Sequence, residues 1–165
     1  MNNNFVHLTS PFTEEDCRWM KVAINYARRN LGMTGKNPCV GCVIVNNNEL
    51  YGFGVTSSGG RPHAEENALN FVGKRSKNSV LYVTLEPCAH YENFLPCMEK
   101  IFQSSIKRVV IACLDPDKRT NGKAVKFLLE RNIDVSLGCQ ETNAMELIEG
   151  FTKRLIFKRP FIKTK

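Results

Sequence analysis

Four side chains of this sequence are spaced as a hydrolytic zinc centre would require. His63 and Glu65 are separated by one residue, and Cys88 and Cys97 follow later, each directly after a proline. One His and two Cys can bind a zinc ion and leave its fourth coordination position for water. Zinc lowers the pKa of bound water to about 7, so hydroxide is available at neutral pH. Glu65, close to the ion without binding it, would take the proton from this water and pass it to the leaving group.

These four residues are predicted to lie at one edge of a β-sheet. Residues 80–85 are predicted as a strand that ends shortly before Cys88. One helix is predicted over 64–73, directly after His63, and another over 97–103. Helix N-termini carry unpaired N–H groups and a partial positive charge, which favour the thiolate that a metal requires. A closed structural zinc site is the alternative, but it needs a fourth Cys or His ligand, and no obvious one is adjacent.

The rest of the chain alternates between helical and strand patterns. A helix is predicted to begin after Thr13 and to end at Gly32, and a hairpin follows with strands over 40–45 and 50–55. The further predicted elements are a strand over 109–113, a helix over 122–131, a strand over 133–137, a long amphipathic helix over 141–157 and a last strand over 160–163. We therefore expect an α/β fold, a three-layer α/β/α sandwich on a mixed sheet of about five strands.

Length and composition are those of one soluble globular domain. The chain has 165 residues, of which 42% are apolar and 24% are charged, enough to build a single core. No apolar run approaches the roughly 20 residues that cross a bilayer, and the N-terminus lacks the pattern of a secretory signal. The seven cysteines are odd in number and lie mostly within apolar runs. They favour a reducing, cytoplasmic location over a disulfide scaffold.

An excess of basic residues predicts an anionic partner. The formal net charge is +7, and residues 153–165 contain six Lys or Arg and no acidic residue. A phosphorylated small molecule or a nucleic acid would suit this charge, and a solvated basic tail is the alternative.

A second cysteine motif, Cys39-Val40-Gly41-Cys42, has the spacing of a redox pair. It lies within a predicted strand rather than at a helix start. We therefore favour packing of both cysteines in the core.

The cysteine spacing and the segments around it resemble the cytidine-deaminase-like superfamily. The gap of eight residues between Cys88 and Cys97, with His90 inside it, is similar to the deaminase domain of the bifunctional riboflavin-biosynthesis deaminase/reductase. The resemblance extends over nearly the whole chain. Further segments that match landmarks of that family are residues 37–45, residues 82–88 and Asp115-Pro116.

The resemblance implies a zinc-dependent hydrolytic deaminase. Its substrate would be 2,5-diamino-6-ribosylamino-4(3H)-pyrimidinone 5′-phosphate, a small molecule that loses a ring amino group as ammonia. The implied residue roles are zinc binding by His63, Cys88 and Cys97, catalytic proton transfer by Glu65, contact with the pyrimidine by Asn37, contact with the ribose phosphate by His90 and Lys165, and substrate binding by Asp117. Family habit also implies a homo-oligomer.

Several positions depart from the family pattern. Thr56 stands where the family often has a His, and Asp117-Lys118 replaces the second half of Asp-Pro-Asn-Pro. Residues 92–96 replace a loop of the form Gly-(Lys/Arg)-Thr-Pro-Pro. These changes spare the predicted zinc ligands and alter contacts to the sugar phosphate. A deaminase of a related nucleotide, nucleobase or tRNA base is therefore the alternative.

We expect residues 1–165 to form a single deaminase domain with no reductase domain, because the sequence ends about where the family's reductase would begin. Either a separate reductase acts on the product, or the chain is a fragment or a stand-alone relative. Two other hypotheses compete with this one. A nucleic-acid deaminase usually has a two-residue gap between the cysteines, and a non-enzymatic zinc protein would give Glu65 no role.

Overall fold

A mixed five-stranded sheet is the centre of the structure, a computed structural model that describes residues 9–159. In chain order its strands are β1 (Gly41–Asn46), β2 (Glu49–Val55), β3 (Val80–Val83), β4 (Arg108–Ile111) and β5 (Asp134–Leu137). They lie side by side in the order β2-β1-β3-β4-β5. β1 is antiparallel to both of its neighbours, whereas β3, β4 and β5 are parallel. The predicted mixed sheet is confirmed.

Helices cover both faces of this sheet. The α-helices of the described residues are α1 (Glu14–Arg28), α2 (Ala64–Val72), α3 (Cys97–Gln103), α4 (Lys123–Glu130), α5 (Glu141–Leu147) and α6 (Glu149–Phe157). α1 packs against β1 and β3 with α5 beside it, and α2 packs against β2 and β1 with α3 beside it. The three-layer sandwich is thus confirmed. Between residues 9 and 159, none of the helices combines the length and the apolar character that a bilayer span needs.

Two glycines let helix backbones approach the sheet closely on opposite faces. A Cβ atom at Gly41 would collide with the carbonyl of Ala23 in α1, and one at Gly54 would collide with the carbonyl of Ala64 at the start of α2. Gly54 is paired with Cys42, the residue after Gly41, and successive residues of a strand face opposite sides of the sheet. The close contact at Gly54 therefore fixes where α2 begins, directly after the first predicted metal ligand.

The predicted long helix over 141–157 is wrong in one respect, because the structure contains two helices there. α5 ends at Leu147 and α6 begins at Glu149. Ile148 between them has φ −105° and ψ 9°, outside the α-helical region. Both Leu147 and Ile148 are buried, whereas a continuous helix would separate their directions by about 100°. The strand predicted over 160–163 lies outside the described residues.

Cys39 and Cys42 lie in the core, as their place in a predicted strand suggested. Both side chains are buried and neither forms a disulfide. The Cys39 thiol donates a hydrogen bond to the Ala27 carbonyl at 3.1 Å. Burial raises the pKa of Cys39 to about 11. A thiol that stays protonated is a poor nucleophile, so the structure favours packing over redox chemistry.

A buried carboxylate ties α1 to the middle of the sheet. Asp16 accepts hydrogen bonds from the Tyr82 hydroxyl of β3 at 2.9 Å and from two nitrogens of Arg108 at 3.0 and 2.9 Å. The Thr13 amide donates a further bond at 2.7 Å. Burial by itself raises the pKa of Asp16, but these hydrogen bonds outweigh it and hold the pKa below the ordinary 3.8. Arg108 begins β4, so the network fastens the end of the sheet away from the predicted metal ligands.

Replacing Asp16 with Asn should destabilise the fold. Asp16→Asn is expected to lower the free energy of unfolding by about 2 kcal/mol at pH 7, because Arg108 loses its buried counter-charge. Urea unfolding would measure this, with the exposed neighbour Glu15→Gln as the control. A depressed pKa means stabilisation that is complete above 3.8 and lost as the pH falls through the folded-state value. The difference between the two proteins should therefore shrink in acid, and equal stabilities at pH 7 would contradict the prediction.

Candidate metal centre and its cavity

Three potential metal ligands meet where two helices begin and a strand ends. His63 is the N-cap residue of α2, and Cys97 is the first residue of α3. Cys88 lies in the loop after β3, which leaves the sheet at Val83 rather than at residue 85 as predicted. One ligating atom from each of His63, Cys88 and Cys97 lies within 4.8 Å of the others. The convergence that the sequence predicted is present.

Hydrogen bonds within the cluster prepare the two sulfur atoms for a metal. The Cys97 amide donates to the Cys88 sulfur at 3.2 Å, and the Cys97 sulfur lies 3.5 Å from His63 Nδ1. The contact with the Cys97 thiol lowers the pKa of Cys88, and His63 and the Cys97 amide add to the shift. The same contact raises the pKa of Cys97. The lowered pKa of Cys88 favours its thiolate form. One imidazole and two sulfur atoms form a donor set that fits zinc.

Glu65 is buried in the first turn of α2, beside the cluster. Its side chain lines the same cavity as His63 and Cys88 and is only 3% exposed. Burial raises the pKa of Glu65 to about 7, although the His63 charge opposes this. A carboxyl group in this place can reach a molecule in the cavity without being one of the three clustered ligands.

The cavity also gathers the other predicted site residues that the structure describes. Asn37, His90 and Asp117 line it together with Glu65 and two of the clustered ligands, His63 and Cys88. Lys165 lies outside the described residues. The shared cavity supports these predictions, but the role of each residue remains a prediction.

Thr56, which departs from the family pattern, has a structural contact at the cavity. Its side chain is buried, and its hydroxyl accepts a hydrogen bond from the Val40 amide at 3.0 Å. Its carbonyl accepts from the Asn30 side chain at 2.6 Å. Thr56 therefore holds the backbone next to the cavity.

His90 and Asp117 are both engaged by neighbours. His90 Nδ1 lies 3.3 Å from the Thr120 hydroxyl, and His90 Nε2 lies 3.5 Å from a carboxylate oxygen of Glu92. Asp117 accepts from Arg119 at 2.7 Å, and this contact lowers its pKa. His90 is thus held by Thr120 of another loop and by Glu92 of its own loop, whereas Asp117 is held by Arg119, two residues further along the same loop.

Sequence reasoning missed several cavity residues. Arg61, Glu86, Glu92 and Arg119 all line the cavity. Each stands within four residues of a predicted ligand or substrate contact. Proximity to a predicted ligand could have drawn attention to them, but it does not show which way a loop side chain points.

Glu86 organises two of the cavity loops. Its buried carboxylate accepts hydrogen bonds from the amides of Asp115, Gly122, Ala124 and Val125, at 2.9 to 3.4 Å. The last three amides lie at the start of α4, where backbone N–H groups have no partner within the helix. Burial raises the pKa of Glu86 to about 7, and the four amides oppose that shift. Glu86 thereby joins the loop of Cys88 to the loop that carries Asp117.

A protein-family model matches the sequence that forms this site. Residues 13–113 match the model described as "Cytidine and deoxycytidylate deaminase zinc-binding region". The matched region contains His63, Glu65, Cys88 and Cys97. The description of this family names zinc as the metal, which agrees with the His and Cys ligands of the cluster.

Curated proteins with similar sequences carry names from riboflavin biosynthesis. "Riboflavin biosynthesis protein RibD" of Aquifex aeolicus is 42% identical over 152 residues, which are 92% of this chain and 43% of that protein. "Diaminohydroxyphosphoribosylamino-pyrimidine deaminase" of Buchnera aphidicola (subsp. Schizaphis graminum) is 40% identical over 141 residues, 86% of this chain and 96% of that protein. The chain thus spans less than half of the RibD relative and nearly all of the Buchnera protein.

Solved structures agree with the fold. RibD of Acinetobacter baumannii superposes with a TM-score of 0.84 at 42% identity, over 90% of this chain and 42% of that one. Rib2 deaminase of Aspergillus oryzae, solved in complex with DARIPP, superposes with a TM-score of 0.61 over 82% of this chain and 96% of that one. Its 17% identity supports the fold alone.

Zinc content tests the ligand cluster. The purified protein is expected to contain one zinc ion per chain, and Cys97→Ser should lose most of it, because a hydroxyl is a far weaker zinc ligand than a thiolate. Elemental analysis by mass spectrometry measures this. Cys17→Ser, which changes a cysteine outside the cluster, is the control and should keep its zinc. Full zinc occupancy in Cys97→Ser would refute the assignment.

The Glu86 contacts predict a local effect on the next loop. Glu86→Gln places an NH₂ donor among four amide donors, so at least one backbone N–H loses its acceptor. We expect a loss of about 2 kcal/mol in the free energy of unfolding and faster amide hydrogen exchange over residues 115–125. Glu130→Gln, an exposed change at the end of α4, is the control. Unchanged exchange in Glu86→Gln would show that the loop is held by other contacts.

Proposed function

The chain belongs to the cytidine and deoxycytidylate deaminase family, and on that premise we propose that it deaminates 2,5-diamino-6-ribosylamino-4(3H)-pyrimidinone 5′-phosphate in riboflavin biosynthesis. Water would replace a ring amino group, which leaves as ammonia. The similarity to RibD proteins and to the Buchnera deaminase supports this choice of substrate.

The observation that carries the proposal is Glu65, buried beside a cluster of three ligands. A purely structural zinc site is closed by four protein ligands, and the clustered His and Cys side chains of residues 9–159 number three. Burying a carboxyl group costs free energy, so a buried Glu65 without a function would only destabilise the fold. A role for Glu65 in proton transfer accounts for both facts.

In the proposed reaction His63, Cys88 and Cys97 hold the zinc ion. Zinc bound there supplies the Lewis acidity that makes water nucleophilic near neutral pH. The Glu65 carboxylate takes a proton from the attacking water and later delivers a proton to the departing amino group, so one side chain serves first as base and then as acid.

The remaining cavity residues would bind and orient the substrate. We assign Asn37 to the pyrimidine, since its amide offers both donors and acceptors. His90 and Lys165 are assigned to the ribose phosphate, and Asp117 to a further substrate contact.

An uncharged nucleoside or nucleobase is the second candidate substrate. The Glu92 carboxylate lies among the cavity residues and is 46% exposed, so it would repel a phosphate that approached it directly. This acidic group favours a nucleobase or an uncharged nucleoside over a phosphorylated substrate.

We further propose that residues 1–165 act as a deaminase domain and that a reductase acts on the product. RibD relatives extend well beyond the region that this chain matches. A homo-oligomer in the cytoplasm is also proposed, from family habit and from the cysteine content.

Ammonia release tests the substrate. The zinc-loaded protein is expected to release ammonia from the diaminopyrimidine ribotide and to leave cytidine, free cytosine and tRNA unchanged. A coupled ammonia assay measures this. Turnover of one of the other substrates without turnover of the ribotide would overturn the riboflavin assignment.

Glu65→Gln tests the proton transfer. The variant should keep its zinc and lose about 10²-fold to 10⁴-fold in kcat, because an amide can neither accept nor return the proton. Glu66→Gln, which changes the next residue, serves as the control. Glu66 does not line the cavity and forms an ion pair of 2.7 Å with Lys100. A Glu65→Gln variant with zinc and near-normal activity would exclude the mechanism.

A further inference from the structure

The carboxylate of Glu92 is surrounded by cationic groups and by a histidine. Its Oε1 atom accepts from Arg119 Nη1 at 2.9 Å and lies 3.5 Å from His90 Nε2. Its Oε2 atom lies 3.7 Å from Arg61 Nη2. All four side chains line the cavity that is also lined by Glu65, His63 and Cys88. Side chains that converge on one anion in this way form an arrangement that an anionic ligand could also use.

The two arginines are fixed by contacts other than Glu92. The Arg61 guanidinium lies over the Phe94 ring, 4.7 Å from its centroid. Arg119 donates to Asp117 through Nε and Nη2, at 3.0 and 2.7 Å from the Oδ2 atom. The arginines would therefore keep their places if the Glu92 side chain moved away.

Glu92 is the most readily displaced of these anions. Its side chain is 46% exposed, whereas that of Asp117 is 12% exposed. Ion pairs of exposed carboxylates contribute little free energy because water screens them and their side chains lose entropy. Glu92 also lies in the loop between Cys88 and Cys97, outside helix and strand, so its side chain can turn toward solvent without disturbing the sheet.

We propose that Arg61 and Arg119 join His90 in binding the phosphate monoester of the substrate and that Glu92 occupies this site until the phosphate displaces it. The identity of the ligand rests on the proposed function. A phosphate dianion carries more charge and more acceptor oxygens than a carboxylate, and guanidinium groups bind it through paired N–H donors. The displacement also explains how a cavity with an acidic mouth can accept an anionic substrate.

Direct binding of ribose 5-phosphate tests the site without any turnover. Isothermal titration calorimetry on the zinc-loaded protein should show tighter binding by Glu92→Gln and binding weaker by about ten-fold in Arg119→Gln and in Arg61→Gln. Arg18→Gln, an exposed arginine of α1, is the control and should bind like the wild type. A gain of affinity in Glu92→Gln cannot come from misfolding. Unchanged or weaker binding in that variant would overturn the displacement, and wild-type binding in both arginine variants would overturn the site.

Steady-state kinetics separate this inference from the proposed function. With the ribotide, Glu92→Gln should lower KM, and Arg119→Gln should raise KM more than it lowers kcat. With the corresponding nucleoside, which lacks the phosphate, Glu92→Gln should change KM far less than it does with the ribotide. Ribotide turnover with a KM insensitive to these changes would refute the inference and keep the function. Ribose 5-phosphate binding that responds as expected, without ribotide turnover, would refute the function and keep the anion site.

Discussion

The cavity depends on one buried carboxylate that faces four backbone amides. Glu86 follows β3, and the amides belong to the loop after β4 and to the first residues of α4. β3 and β4 are neighbouring parallel strands, so their following loops emerge at the same edge of the sheet. Without an acceptor between them, the unpaired amides of α4 would lack partners in a buried place. Glu86 supplies that acceptor, and the loops of Cys88 and Asp117 come together as a consequence.

A second constraint fixes the opposite wall of the same cavity. α2 begins where its backbone contacts Gly54, because the missing side chain at that position lets the helix start lie against β2. His63 is the N-cap of this helix and Glu65 lies in its first turn. A shift of the helix along the sheet would move His63 and Glu65 together. Packing at a glycine therefore helps to set the position of these two residues.

The sequence predicted the elements and the ligand cluster well, since both depend on local patterns. Strand and helix periodicity located the sheet, and the prolines before Cys88 and Cys97 marked the ends at which ligands converge. The break at Ile148 was missed because the apolar periodicity continues across it, and only tertiary packing requires the turn. Arg61, Glu92 and Arg119 were also missed. They lie in loops, where no period specifies the direction of a side chain, and their partners are distant in sequence.

The charges of the cavity are divided between its interior and its mouth. Glu65, Glu86 and Asp115 are at most 6% exposed, and burial raises their pKa values to about 7, 7 and 6. The side chains of Arg61 and Arg119 are 29% and 58% exposed. Like charges buried close together repel one another, and a divalent cation held by the adjacent sulfurs and imidazole would offset that repulsion. Glu92 lies between these two arginines, so an anionic group would meet a basic rim only after the Glu92 side chain has turned away, while a neutral ring could enter the acidic interior.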